Sequence, residues 1–174
     1  MKGLVVYDSY FGNTQKVAEA IAEELRAEGH DAEVQSIRDR HAAPAQGDIL
    51  FVGSPVRMGS VTGRAKRYIK KLDAQAWKDR PVVIFTTILA LPEEPTDAQK
   101  HSREAYDIKA GLKLGDLARE QGLNEVKDLL WVEVTGMKGP LIDSGVDKAR
   151  QFTRELLASL GPAWDRLAYH GVGG

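Results

Sequence analysis

Short runs of apolar and β-branched residues alternate along this chain with longer stretches whose apolar positions recur every three to four residues. The short runs are Gly3 to Tyr7, Ala32 to Ile37, Asp48 to Gly53, Pro81 to Thr87 and Leu129 to Thr135. The central ones are continuously apolar, which suits strands covered on both faces, and their alternation with helical stretches predicts a parallel sheet with crossover helices. The expected fold class is α/β, a doubly wound sheet with helices on both faces.

Between the runs, Thr14 to Glu28 sets Val17, Ile21 and Leu25 four apart with Ala18 and Ala22 beside them, and Gly29 ends the stretch. Thr62 to Leu72 carries Ala65, Tyr68, Ile69 and Leu72 on one side. Gln99 to Gln121 carries Ala105, Ile108, Leu112 and Ala118, and Ser144 to Leu160 carries Val146, Ala149, Phe152, Leu156 and Leu160. Each pattern is that of an amphipathic helix. Leu91 to Asp97, with two prolines and two glutamates, reads as a loop leaving the fourth strand. No repeat or low-complexity tract divides the chain, so one domain over 1–174 is expected, with 161–174 as a C-terminal tail.

In an open parallel sheet, ligands bind beyond the carboxyl ends of the strands where strand order reverses. After the first run come Asp8, Ser9, Tyr10, Phe11, Gly12, Asn13 and Thr14, leading straight into a helix. Two readings stand level here. Free N–H groups and the positive end of the helix suit a phosphate, with Gly12 permitting close approach and Ser9, Asn13 and Thr14 adding neutral donors; alternatively, Asn13 or Thr14 simply caps the helix. After the third run, Pro55, Val56, Arg57 and Met58 lie between Gly53 and Gly59 in a loop longer than a plain turn needs. Arg57 and Met58 offer a cation and an adaptable apolar surface.

Composition narrows the chemistry. Lys+Arg number 24 against Asp+Glu 25, a formal net charge of -1, so the total gives no global drive toward nucleic acid, though it leaves room for a local basic patch. There is no cysteine, which excludes disulfides, clusters, thiolate metal sites and thiol nucleophiles. Any redox chemistry must come from a bound group. His30, His41, His101 and His170 show no metal-ligand spacing, and there is no Walker loop, G-x-S-x-G elbow or G-x-G-x-x-G fingerprint. A phosphorelay receiver needs an Asp ending the third strand, where Gly53, Ser54 and Pro55 stand instead. The apolar opening is cut off at Asp8 and no run approaches membrane-spanning length, so a cytoplasmic protein without a transmembrane segment is expected.

Leu4 to Thr14 (LVVYDSYFGNT), followed by a helix, resembles the phosphate-binding start of the flavodoxin family. Leu50 to Gly59 (LFVGSPVRMG) is similar to the flavin-binding loop of flavodoxin-like oxidoreductases, including quinone reductases of the tryptophan-repressor-binding-protein type and menaquinone-dependent protoporphyrinogen oxidases. The resemblance implies a five-stranded sheet in the order 2-1-3-4-5 and non-covalently bound flavin mononucleotide (FMN). By position, Ser9, Tyr10, Phe11, Gly12, Asn13 and Thr14 would hold the phosphate. Pro55, Val56, Arg57, Met58 and Gly59 would line the isoalloxazine, with Thr87, Ile88, Leu89 and Ala90 as a third wall. The departures are the absence of aromatic residues from the second and third of these segments and a balance of charge unlike that of strongly acidic carriers.

The function implied is electron transfer or a small flavin oxidoreductase, working with a redox partner protein or a small-molecule acceptor. The alternatives are a flavin-free interaction module of the same fold, with Trp164 and Tyr169 in a docking tail, or a quinone or protoporphyrinogen-type oxidoreductase. One local feature departs from the neutral total: Arg57, Arg64, Lys66, Arg67, Lys70 and Lys71 follow one another without an intervening acid. Arg64, Arg67 and Lys71 are a candidate face for an acidic partner, next to the expected flavin edge; a solvated polar face is the plainer reading.

Overall fold

A computed structural model describes residues 1–169. The strands are β1 (Lys2–Tyr7), β2 (Asp31–Ser36), β3 (Ile49–Arg57), β4 (Ser60–Val61), β5 (Pro81–Leu89), β6 (Asn124–Glu125) and β7 (Leu130–Val134). The helices are α1 (Asn13–Ala27), α2 (Gly63–Lys71), α3 (Ala74–Trp77), α4 (Asp97–Ser102), α5 (Lys109–Glu120) and α6 (Gly145–Tyr169), with a π-helical segment, Arg103–Ile108, joining α4 to α5. The parallel sheet runs β2-β1-β3-β5, with β6 and β7 together forming its fifth position and β4 folded back antiparallel on β3. The order that the family resemblance implies, 2-1-3-4-5, is the order found for the five parallel positions.

Alternation along the strands builds two cores. Val5, Phe51, Val83, Phe85 and Val132 point toward α1 and α6, where Val17, Ile21, Leu25, Ala149 and Leu156 meet them. Leu4, Val6, Leu50, Val52 and Ile84 point the other way, onto Ala65, Ile69, Trp77 and Leu114 of α2, α3 and α5. Successive side chains of a strand face opposite ways, so a sheet covered on both sides must be apolar at every position. That is why the runs are continuous rather than alternating.

The structure corrects the helix expected over Gln99 to Gln121. It divides into three: α4, opened by a capping box between Thr96 and Gln99, then the π-helical turn, then α5. The wider turn resets the helical phase at the start of α5. Ala110, Leu114 and Ala118 face the core, while Leu112, expected there, is 46% exposed. Gly111 and Gly115 let α5 sit against the fifth strand position, since a Cβ would meet Leu129 at 2.8 Å in the first case and collide with the Glu125 carboxylate in the second.

Three further elements, α3, β4 and β6, have no counterpart in the sequence reading. At the C-terminal end, α6 kinks at Gly161 (φ 43°, ψ -137°) and helical backbone continues to Tyr169. Residues 170–174 of the expected tail, and the side chains of Trp164 and Tyr169 given a docking role, lie outside the described residues. No helix among the described residues is long and apolar enough to cross a membrane.

Candidate functional site

The carboxyl ends of β1, β3 and β5 enclose a cavity of about 430 Å³, within the range of about 300–1,000 Å³ usual for small-molecule pockets. Each of the three expected segments contributes. Ser9, Tyr10, Phe11, Asn13 and Thr14 form one wall, Pro55 to Gly59 a second, and Thr87 and Leu89 a third.

The first wall resolves the choice between a capped helix and an open one. The residue preceding α1 is Gly12, in the left-handed region at φ 88°, and no side chain caps the helix. The Ser9 hydroxyl instead accepts from the Gly12 N–H at 3.0 Å, and the Thr14 hydroxyl bonds that of Thr87 at 2.9 Å. The first turn carries no acid either. Its N–H groups and the positive end of the helix therefore face the cavity uncompensated. Nothing stands within 4 Å of where a Gly12 Cβ would be, so the backbone is open to approach.

Cations surround the aromatic residues of this wall. The guanidinium carbons of Arg38 and Arg57 each lie 4.5 Å from the centre of the Tyr10 ring, and Lys138 lies 5.9 Å from that of Phe11. Arg38 also holds Asp8, a carboxylate wholly buried at the end of β1, at 2.7 Å. Asp8 is thus a structural anchor for the segment after β2.

The second wall is not the loop expected after Gly53. Strand β3 continues through Arg57, pairing Ser54 and Pro55 with Thr86 and Thr87, and then folds back with Val56 opposite Val61 and Arg57 opposite Ser60. Met58 and Gly59 are the two turn residues, at φ 51° and 70°. Positive φ at both positions is the mark of a type I′ hairpin, whose twist matches the flanking strands. Ser54 fastens its base by accepting from the Thr62 N–H at 3.0 Å. Met58, fully exposed at the tip, occupies a conformation costly for a side chain with a Cβ. Met58→Asn, which creates the preferred Asn-Gly turn, is expected to stabilise the free protein by roughly 1 kcal/mol, read as a higher urea midpoint with an unchanged slope.

The third wall is also strand. Beyond Thr87, β5 continues through Ile88 and Leu89, paired with Glu133 and Val134. Period two puts Thr87 and Leu89 at the cavity and turns Ile88, 1% exposed, into the interior. Ala90 donates its N–H to Val134 instead of lining the cavity. Of the expected residues, Gly12, Ile88 and Ala90 are thus absent from the walls.

Sequence reading missed Asp107, Val134 and Met137, which complete the enclosure. Val134 and Met137 lie at and just beyond the end of β7, the neighbour of β5. The sheet order already places that end beside the others, and this signal was available. Asp107 had no sequence signal: it reaches the cavity from the π-helical turn. Burial raises the Asp107 carboxyl above its ordinary range, with Arg103 acting in the opposite sense. The folded state therefore holds that proton more tightly than the unfolded chain, and its contribution is lost as pH rises through the raised pKa. Asp107→Asn is expected to stabilise the protein at pH 7 by under about 1 kcal/mol, given solvent screening, and the gain should vanish in denaturation at pH 3.

The basic helix does not adjoin this cavity as expected. Only Arg57 lines it, while Arg64, Arg67 and Lys71 line a different one. No group of three or more metal-ligating side chains occurs among the described residues.

A sequence model described as the flavodoxin domain matches residues 4–137. A flavodoxin of Aquifex aeolicus (strain VF5) is 36% identical over 78 residues, which are 44% of this chain and 42% of that protein. Among solved structures, oxidised flavodoxin 1 from Bacillus cereus superposes with a TM-score of 0.64 at 22% identity, over 91% of this chain and 98% of that one. A flavodoxin from the domain Archaea gives 0.64 at 16% identity, over 92% and 99%. The structural likenesses speak to the fold alone.

Proposed function

The chain belongs to the flavodoxin family, and on that premise we propose that it is an electron-transfer protein binding FMN in the cavity between β1, β3 and β5. The observation that carries this reading is the uncapped start of α1, with no acid in its first turn. A phosphate matches such a site, accepting from the N–H groups of the turn and meeting the helix at its positive end. The Ser9 and Thr14 hydroxyls and the Asn13 amide are the side chains that would add to it. Gly12 supports close approach because its left-handed backbone leaves the space around it empty.

The remaining walls suit a flat ring system. Pro55, Val56 and Met58 supply apolar surface on the hairpin, with Gly59 completing its turn, and Leu89 supplies more from β5. Ile88 backs that wall from the interior, and Ala90 fixes the end of β5 through its bond to Val134. Thr87 ties the floor to α1 through Thr14. Arg57, near the first wall, favours negative charge in the cavity, whereas Asp107, when ionised, disfavours it. Bound FMN supplies the electron chemistry that a chain without cysteine lacks. On this reading, the exposed tip at Met58 and the edge at Leu89 are where a redox partner protein or small-molecule acceptor would approach.

The test is reconstitution. The purified protein should be yellow, release FMN on denaturation and rebind one equivalent with full quenching of flavin fluorescence. Riboflavin, which lacks the phosphate, should bind at least about a hundredfold more weakly, a difference of roughly 2.7 kcal/mol. A colourless protein that takes up no FMN overturns the proposal.

A further inference from the structure

A second cavity, of about 710 Å³, lies between α2 and the segment that follows β2. Its cations come from both sides: Arg38 and Arg40 from the segment, and Arg64, Arg67 and Lys71 from α2. The three on the helix are spaced i, i+3 and i+7, so they share one face and span about 10 Å along it. Two carboxylates also line the cavity, and both are engaged locally. Asp73 accepts from the Gln75 N–H at 2.9 Å, and Asp39 from the His41 N–H at 2.9 Å.

Arg38 is held by Asp8, but the protein leaves the other arginines of the cavity, Arg40, Arg64 and Arg67, without a partner. The remaining arginines whose side chains are described have partners: a carboxylate or a backbone carbonyl in most cases, and the Tyr10 and Phe11 rings for Arg57. The three described arginines without an ion pair, hydrogen bond or ring contact are Arg40, Arg64 and Arg67, and all three line this cavity. Five cations against two carboxylates leave the lining net positive, and a concave surface with such an excess concentrates its field and draws counter-ions.

The cavity also has an apolar share. Ile37, Leu72 and Tyr68, each half-buried, contribute to its lining, with Trp77, 1% exposed, behind them. The Tyr68 hydroxyl is shut off from solvent and has no hydrogen-bond partner. Burial pushes its pKa up to about 12, so it stays a donor throughout the neutral range.

We propose that this cavity is a second ligand site, for a small organic molecule bearing two or more anionic groups on an apolar ring, with Arg40, Arg64, Arg67 and Lys71 as its anion-binding residues. The proposal replaces the acidic partner protein expected at Arg64, Arg67 and Lys71, and it does not rest on the FMN reading. Arg38 borders both cavities, through its place in this lining and its approach to Tyr10.

The probe is benzene-1,3,5-tricarboxylate, titrated into the 174-residue chain as purified and followed by calorimetry and by amide shifts in NMR. One saturable site is expected, with shifts confined to residues 35–45 and 64–77. Benzoate, with one charge, and citrate, with no ring, should each bind at least tenfold more weakly. Arg67→Glu with Lys71→Glu should weaken the tricarboxylate at least tenfold. Lys66→Glu with Lys70→Glu alters net charge equally on residues outside the cavity lining, and should change affinity less than threefold. All four positions are exposed, so thermal unfolding should show the variants folded. The proposal is overturned if binding does not saturate at millimolar concentration, if both double variants lose affinity alike, or if a polyglutamate peptide shifts these residues while the tricarboxylate does not.

Discussion

Replacing Ser9 by Asp is expected to weaken FMN binding about a hundredfold, roughly 2.7 kcal/mol, while leaving the free protein no less stable. The two halves of this result have one physical cause. In the free protein an aspartate at position 9 sits before the uncapped start of α1, where Ser9 already accepts from the Gly12 N–H. A carboxylate accepts that bond better than a hydroxyl does and meets the positive end of the helix, an arrangement worth about 0.3–1 kcal/mol. With FMN, the same charge competes with the phosphate for the same N–H groups and repels it. Thermal unfolding of the flavin-free protein and fluorescence titration with FMN measure the two effects separately. A Ser9→Asp protein that binds FMN as tightly as the original would show that the phosphate does not lie at this turn. Ser9→Ala, which removes the acceptor without adding charge, should lower the stability of the free protein slightly and affect FMN far less.

Phe85→Ala is expected to cost about 4 kcal/mol of folding stability. Phe85 is fully buried in the core beneath α1 and α6, and its ring fills the space beside Gly53 on the paired strand β3. A Cβ built on Gly53 would fall on the ring itself. Gly53→Ala should therefore also destabilise, by about 1–3 kcal/mol, because the core has no room for the added methyl group. The sign should reverse in combination. Once Phe85 is alanine, the methyl at position 53 fills part of the vacated volume, and glycine's weakness within a strand is removed at the same time. Gly53→Ala in the Phe85→Ala background is thus expected to be neutral or stabilising, a coupling of at least about 1 kcal/mol. Urea denaturation of the four proteins closes the cycle. Strictly additive effects would show that the two residues do not share this space.

Gly53 also shows why one residue type carried different causes that spacing could not separate. In the sequence, Gly53 and Gly59 bracket one segment and look alike. In the structure Gly59 is glycine for its backbone, at φ 70° in the hairpin turn, and Gly53 is glycine because a ring lies over it. Backbone demands are local and leave a local signature beside proline or a second turn residue. Demands made by a side chain from a neighbouring strand leave none.

The fold was legible because it is written in short-range periodicity. The run Leu4, Val5, Val6 is apolar throughout because helices cover both faces of β1, and Val17, Ile21 and Leu25 recur at the helical period because one face of α1 is buried. The segments around the candidate site were legible as well, since ligand positions in open parallel sheets follow from where strands end. What the sequence by itself determined was therefore the α/β class, the strand runs and the residues brought to one sheet edge. Tertiary structure alone decided the rest. It extended β3 and β5 past their expected ends, because partner strands were there to pair with Pro55 and Leu89. It left the start of α1 uncapped, and it carried Asp107 into the cavity on a turn with no mark in the sequence. It also turned the cations of α2 toward a cavity of their own. Each of these depends on contacts between residues distant in the chain, and their free energy is set by which surfaces meet rather than by what stands next in sequence.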